Sequence, residues 1–276
     1  MAMLLAGSSS IFDLDPGMVW AVAMVAPLTY AIRCARQSQL DARAMYWACV
    51  CACFGGLWGG HIMGLFVHGW SGDPMALLRF WDSSKSYYGG LLGGGLAAAL
   101  LFRRWKLPVL AYADAGVPAV ALGYAIGRIG CFLNGDDYGT LTRLRWAVVF
   151  PSGTEAYTAH LSNGWIRPGD SWSLPVHPTQ LYASLLGLGL FAILGSWRAK
   201  RPGDRLWLFF LLYGASRFLL EYFRGDFHPV LGALSLPQLF SLGLIAAGII
   251  LGTRGRGWFV WRTGRLVADP GTAVIS

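Results

Sequence analysis

Leu107 to Gly139 read LPVLAYADAGVPAVALGYAIGRIGCFLNGDDYG, an apolar run that ends in an arginine, an amide and two carboxylates. Its first part, Leu107 to Ile126, is long enough to cross the hydrocarbon core of a bilayer, which takes about 20 residues of helix. The remainder, Gly127 to Gly139, sets Arg128, Asn134, Asp136 and Asp137 where the apolar segment leaves the membrane. A guanidinium at a bilayer surface suits a lipid phosphate, because its planar fork of donors matches phosphate oxygens and it stays charged at any relevant pH.

Composition extends the membrane reading to the whole chain. Of 276 residues, 55% are apolar and 13% charged, against a charged share of about 25% in soluble domains. An all-α integral membrane protein is expected. Apolar stretches fall at Gly17 to Arg33, Ala44 to Val67, Tyr88 to Phe102, Leu107 to Ile126, Pro178 to Trp197, Leu206 to Phe223 and Leu236 to Leu251. Seven transmembrane helices follow, the short third one extending into its flank. No repeat or low-complexity tract divides the chain, so residues 1–276 read as one polytopic membrane domain. Its longest polar insertion, Asn134 to His177, is long enough to form a small periplasmic cap.

The basic residues orient the bundle, since cytoplasmic loops keep an excess of Lys and Arg. With the N-terminus outside, the inner segments hold 14 of the 22 basic residues, while only three of the 14 acids, Asp41, Asp204 and Asp269, fall there. The C-terminus is then cytoplasmic. The formal charge of +8 is mostly this orientation signal, so no nucleic acid is implied. The first twenty residues lack a basic region and carry Asp13 and Asp15, so the first span reads as a retained anchor rather than a cleaved leader. Cys34, Cys49, Cys51, Cys53 and Cys131 show no CxxC spacing and read as small core residues. No metal and no cofactor are expected.

A second polar constellation lies in the sixth span. Tyr213, Arg217, Glu221 and Arg224 are spaced by four, four and three, which puts them on one helical face. Ionisable side chains are expensive inside a membrane unless they face a cavity or one another. The bland alternative is an Arg217–Glu221 pair that only ties the helix end to its neighbours. With Arg128 at the same outer level of another span, the two arginines are expected to converge on one anion. The fifth span opens with VHPTQLYASL, where Pro178 suits a first helical turn and Thr179 suits a cap. A cap explains His177 and Gln180 less well, and both are expected near the arginines. The glycine-rich KSYYGGLLGGG, beginning at Lys85, suits close helix packing or amide contact with an anion. His61 and Asp114 read as paired core polar groups.

At these residues the chain resembles a known family. GRIGCFLNGDDYG is similar to the signature of the prolipoprotein diacylglyceryl transferases, written G-R-x-G-N-F-x-N-x-E-x-x-G; HPTQLY resembles that family's HPxQLYE segment, and YGASRFLLEYFR its YGxxRFxxEfxR segment. The resemblance implies transfer of the diacylglyceryl group of phosphatidylglycerol to the lipobox cysteine thiol of a prolipoprotein, at the outer face of a bacterial inner membrane. A thioether forms and glycerol phosphate leaves, in the first step of lipoprotein maturation. Carried over by position, Arg128 and Arg217 match the essential arginines, Asn134 and Gly139 match signature positions, and Tyr213, Glu221 and Arg224 match the sixth-span set. The expected catalytic group is Arg128, Arg217, Tyr88 and Glu221. Lys85, Asn134, Asp136, Gly139, His177, Gln180, Tyr182, Tyr213 and Arg224 join Arg128 in substrate binding.

Four positions depart from the family pattern. Tyr88, in SYYGG, stands where the family commonly has the histidine of SFHGG, proposed there as the base. Cys131 replaces the signature Asn, Asp136 the signature Glu, and Ala183 the Glu that follows HPxQLY. A free thiol, with a pKa of about 8.5, needs help to become a thiolate, and an unperturbed tyrosine, at about 10, is a poor base. Tyr88, Asp136, His177 and the local positive field are the alternatives for that help. Two other readings stay open: a relative that serves another acceptor or lipid, and a non-catalytic anion- or lipid-binding transporter or scaffold. The latter predicts repeated halves with broken helices, and none is found.

Overall fold

The computed structural model describes residues 15–68, 70, 72–79 and 86–258. Lys85, expected in substrate binding, lies outside the described residues, as do Asp13 and Asp269. Eight α-helices are present among the described residues: α1 (Pro16–Gln37), α2 (Ala42–His68), α3 (Tyr87–Arg104), α4 (Val109–Asn134), α5 (Glu155–Ser162), α6 (Thr179–Ser196), α7 (Asp204–Leu220) and α8 (Leu236–Trp258). A 3-10 turn, Glu221–Phe223, continues α7, and a two-stranded antiparallel hairpin, β1 (Pro229–Leu231) and β2 (Leu234–Ser235), precedes α8.

Six of these helices, all but α3 and the short α5, are long and apolar enough to cross a membrane. The chain is therefore mostly helical and of integral membrane type. Each terminus has a local cause. Asp15 caps α1, its carboxylate accepting the Gly17 N–H at 2.8 Å, and Pro16 fills the first turn where no amide donor is needed. The short α3 ends on Arg103 and Arg104.

Glycine decides how α3 sits. Gly55 and Gly59 of α2 face Gly89 and Gly93 of α3 so closely that a Cβ on Gly55 would come 2.7 Å from the Gly93 carbonyl oxygen. A Cβ on Gly93 would come 2.9 Å from the Gly59 Cα, nearer than side chains approach in real structures. Without a hydrophobic force between helices in lipid, this backbone-to-backbone packing holds the pair together. Of the two roles open to KSYYGGLLGGG, the described part takes packing.

The helix α4 is the axis of the bundle, packing against α1 on one side and α6 on another. It does not stop at Ile126 as the apolar run suggests. It continues to Asn134, and Gly135 ends it in the left-handed conformation at φ 71°, its N–H donating to the Cys131 carbonyl at 2.9 Å. Arg128 therefore sits in the penultimate turns of a spanning helix, 9% exposed, rather than in a connecting segment. At the other end Asp114 is not paired with His61. Its carboxylate accepts the N–H groups of Gly203 (2.7 Å), Arg205 (3.0 Å) and Leu206 (2.9 Å), capping α7 from a neighbouring helix. His61, fully buried, sits 2.9 Å by Nε2 from the Ala76 carbonyl.

Residues between Asn134 and His177 pack onto the end of α4 through a shared cluster of Phe132, Leu133, Tyr138, Val148, Phe150, Ala156 and Val176. The segment after α4 is clasped on both sides: Thr140 N–H donates to Phe223 O at 2.8 Å, Gly225 N–H to Tyr138 O at 3.0 Å, and His177 N–H to Thr140 O at 3.0 Å.

Gly93→Leu is expected to lower stability by about 1–3 kcal/mol, the range for overpacking a tight contact. Gly95→Leu, whose Cβ would point into open space, should stay within about 0.5 kcal/mol of the parent. Thermal unfolding of the two variants in detergent separates them.

Candidate active site

Arg128 reaches the site from α4, Arg217 from α7, and Arg224 from the chain leaving α7. All three are buried, and all three line one small cavity with Tyr124, Asp137, Thr179, Gln180, Ala183 and Leu220. The two arginines expected to converge on one anion thus open onto the same space. Each brings a counter-charge. Arg128 pairs with Asp137, and Arg217 with Glu221 at 2.6 Å. Arg224 makes a forked pair with Asp226, at 2.7 Å from Nε and 2.5 Å from Nη2, and a further pair with Asp137 at 2.5 Å.

Asp137 is the junction of the cluster. It holds an unusual backbone, φ 57°, in the left-handed region that aspartate tolerates better than most residues. Together with Gly135 this folds the chain back over the end of α4, aiming the carboxylate at Arg128. Its backbone is fixed from two sides: the N–H donates to Glu155 Oε2 at 3.1 Å, and the carbonyl accepts the Thr179 hydroxyl at 2.8 Å. Burial alone would raise the carboxyl pKa, but Arg224 and Arg128 hold it well below the usual carboxylate range. Burial instead dominates at Asp136 and Glu155, pushing both up.

The remaining expected residues divide into two groups. Gln180 joins the cavity, donating through Nε2 to the Asp136 carbonyl at 2.6 Å. Tyr213 and Tyr88 form, with Tyr87 and Tyr124, an aromatic wall beside Arg128, whose guanidinium lies 5.2 Å from the Tyr124 ring and 5.6 Å from the Tyr87 ring. Tyr88 is buried, stacked on Phe240 at 4.8 Å, and its hydroxyl has no hydrogen-bond partner among the described residues. Glu221 also accepts the Ser235 hydroxyl at 2.7 Å.

The second group shapes the surroundings. Asn134 donates to Asp136 Oδ2 at 2.9 Å. Gly139 has no room for a side chain: a Cβ there would lie 2.9 Å from the Phe223 carbonyl oxygen. His177 Nδ1 lies 3.2 Å from the Tyr182 hydroxyl, which accepts Trp146 Nε1–H at 2.7 Å, so both sit in an aromatic cluster with Phe223 rather than on the arginine cavity. Burial lowers the His177 pKa.

Three sequence expectations change. Thr179 does not cap α6, since Pro178 occupies that position and the Thr179 hydroxyl is committed to Asp137. Arg224 does not continue the helical face of Tyr213 and Arg217, because α7 ends at Leu220 and Arg224 is already extended, bridged to Gly139. Asp137, given no site role in the sequence reading, is the carboxylate between Arg128 and Arg224. A cation finds poor ground here. Cys131, Asp136 and Asp137 bring ligand atoms within 4.8 Å of one another, but the Asp137 charge already serves two guanidiniums.

Comparison with known proteins finds relatives of a single kind. Residues 16–254 match the profile of a family described as prolipoprotein diacylglyceryl transferase. The phosphatidylglycerol–prolipoprotein diacylglyceryl transferase of Glaesserella parasuis serovar 5 is 36% identical over 212 residues, covering 72% of either chain. The proteins of the same name from Geobacter sulfurreducens and Stenotrophomonas maltophilia are 33% identical over 198 residues and 37% over 202. The first alignment covers 70% of this chain and 69% of the relative, the second 69% and 67%.

Asp137→Asn is expected to loosen the cluster, leaving Arg128 without its carboxylate; breaking a buried pair costs up to about 3–5 kcal/mol, and partial exposure of Asp137 brings the expected loss to about 1–3 kcal/mol. The sign with pH follows from its depressed pKa. The stabilisation is complete above about pH 4, the ordinary carboxylate value, and fades as pH falls below it. Melting temperature between pH 8 and pH 3 should lose an acid-side decline in the variant relative to the parent.

Proposed function

Because the chain belongs to the prolipoprotein diacylglyceryl transferase family, we propose that it moves the diacylglyceryl group of phosphatidylglycerol onto the lipobox cysteine thiol of a prolipoprotein. The observation that carries this reading is the convergence of Arg128 and Arg217 on one buried cavity from two different spanning helices. Attack of the thiolate on the glyceryl carbon breaks its bond to the phosphate oxygen, so negative charge builds on the departing glycerol phosphate. Guanidiniums aimed at that oxygen stabilise the transition state more than the ground state. Arg128 and Arg217 have the directional donors for it, and Arg224 holds Asp137, which in turn holds Arg128.

Proton removal from the thiol falls to the aromatic side of the site. In this reading Tyr88 receives the proton as the tyrosinate and returns to the neutral phenol as the thiolate forms. Its hydroxyl, without a hydrogen-bond partner among the described residues, is the observation that supports the role. Asn134, Asp136, Gly139, Gln180 and Tyr213 shape the lipid phosphate site around the arginines, while His177 and Tyr182 brace the same wall from behind.

The surrounding architecture completes the reading. In it α3, packed along α2 through glycine, is the seventh span, and residues 134–177 form a cap within a single membrane domain. The N-terminus lies outside and the C-terminus in the cytoplasm, by the charge asymmetry of the loops. The site then opens near the outer leaflet of the inner membrane, where a prolipoprotein signal peptide presents its cysteine. The lipid donor and the lipid-modified protein both belong to that leaflet, and glycerol phosphate leaves to solvent.

Expression in a bacterium depleted of its own transferase is expected to restore lipoprotein maturation, read as the mass gain of one diacylglyceryl group. Unmodified precursor in the presence of well-folded membrane protein would refute the reading. Arg128→Ala and Arg217→Ala should each reduce modification at least 100-fold, consistent with loss of a charge-stabilising donor. Tyr88→Phe should slow transfer and shift its pH dependence; a variant as active as the parent at every pH removes Tyr88 as the proton acceptor.

A further inference from the structure

At the end of the bundle opposite the arginine cavity, two connections and a helix start border an open recess. It is formed by Ser38 after α1, the first turns of α4 near Asp114, and the link from α6 to α7. Asp114 and Arg128 stand at the two ends of α4, about 21 Å apart along the helix at 1.5 Å per residue. The recess encloses about 420 Å³, within the range of small-molecule sites. Four cations line it: Arg198, Lys200, Arg201 and Arg205.

One carboxylate, Asp114, shares the lining, a single negative charge beside four positive ones. Asp114 spends both oxygens on three backbone amides at the start of α7. Among the described residues, Arg198, Lys200 and Arg205 make no ion pair with a carboxylate. An excess of basic residues is expected in loops on this side, but that rule asks only for charge. It does not ask for charges from one loop and the helix start beside it to face a concavity whose far wall comes from the α1–α2 connection and the first turns of α4.

We propose that this recess binds a phosphate-bearing anion. The headgroup of an anionic phospholipid in the adjoining leaflet fits it, since basic pockets between helix ends recognise such headgroups. A free phosphate or glycerol phosphate carries the same chemistry and enters from solvent. The site is separate from the transfer site, and bound anion would tie together the ends of α1, α4 and α7. Nothing in it depends on the transferase reading.

Two variants test it in the full-length chain. Arg198→Gln/Lys200→Gln/Arg201→Gln removes charge, whereas Ala199→Trp, at an exposed position in the lining, fills the recess and leaves every charge in place. Native mass spectrometry in detergent counts bound phosphatidylglycerol and phosphatidylcholine, and melting temperature is followed with inorganic phosphate. Loss of one bound phosphatidylglycerol in both variants, with at least tenfold weaker binding and no change for phosphatidylcholine, assigns a lipid headgroup. An unchanged lipid count, with phosphate raising the melting temperature of the parent but not of either variant, assigns a soluble phosphate. If neither variant alters lipid retention or the response to phosphate, the proposal is wrong. Lipoprotein modification by Ala199→Trp should stay within twofold of the parent, so a failure here leaves the transfer reading untouched.

Discussion

One carboxylate organises the polar end of this bundle. Asp137 stands between Arg128 of α4 and Arg224 beyond α7, and its backbone is tied to Glu155 of the insertion and Thr179 of α6. Four parts of the chain that are distant in sequence therefore meet at one residue. Buried guanidiniums are tolerated only when compensated, and a junction of this kind both compensates them and sets where their remaining donors point. A second carboxylate, Glu221, does the same for Arg217 while accepting from Ser235 ahead of α8. The cavity is thus rimmed by charge that is balanced but not covered.

This balance has a chemical use. An arginine held by a carboxylate on one edge keeps its other N–H groups for an incoming phosphate, and the low-dielectric surroundings strengthen that contact. On the other side Tyr87, Tyr88, Tyr124 and Tyr213 form an aromatic wall, in which Tyr87 and Tyr124 offer ring faces to Arg128. Packing of glycine on glycine between α2 and α3 brings Tyr87 and Tyr88 to that place. Helix packing and site geometry are here the same fact seen at two positions along α3.

Much of the fold was legible in the sequence because hydropathy is a long, additive signal. Helices α1, α2, α3, α6 and α7 begin and end within a few residues of their apolar runs. The site was legible in part. Arg128, Arg217, Gln180 and Arg224 do meet, as their spacing and order suggested. Where the reading failed, the cause was local geometry that composition does not encode. Hydropathy ends at Ile126, yet the backbone of α4 carries on to the glycine that can adopt a left-handed stop. Helical spacing extended the Arg217 face to Arg224, yet the 3-10 turn after Leu220 releases the chain first. In NGDD, two adjacent aspartates look alike in sequence, and only the positive φ at Asp137 decides which one faces the arginines. Tyr124, Glu155 and Asp226 carried no signal of their own, because their partners lie far away or belong to common residue types.

The pairing pattern bears on how such a chain enters a membrane at all. Arg128 finds Asp137 nine residues downstream, Arg217 finds Glu221 four residues on, and Arg224 finds Asp226 after two. Every buried guanidinium among the described residues therefore travels with its counter-ion on the same stretch of newly made polypeptide. Each segment presents itself to the insertion machinery as a nearly neutral unit, before any other helix is available to help. Only the second contact of Asp137, with Arg224, has to wait for the later half of the protein. Charge compensation within each segment is thereby separate from the assembly of the helices around the cavity.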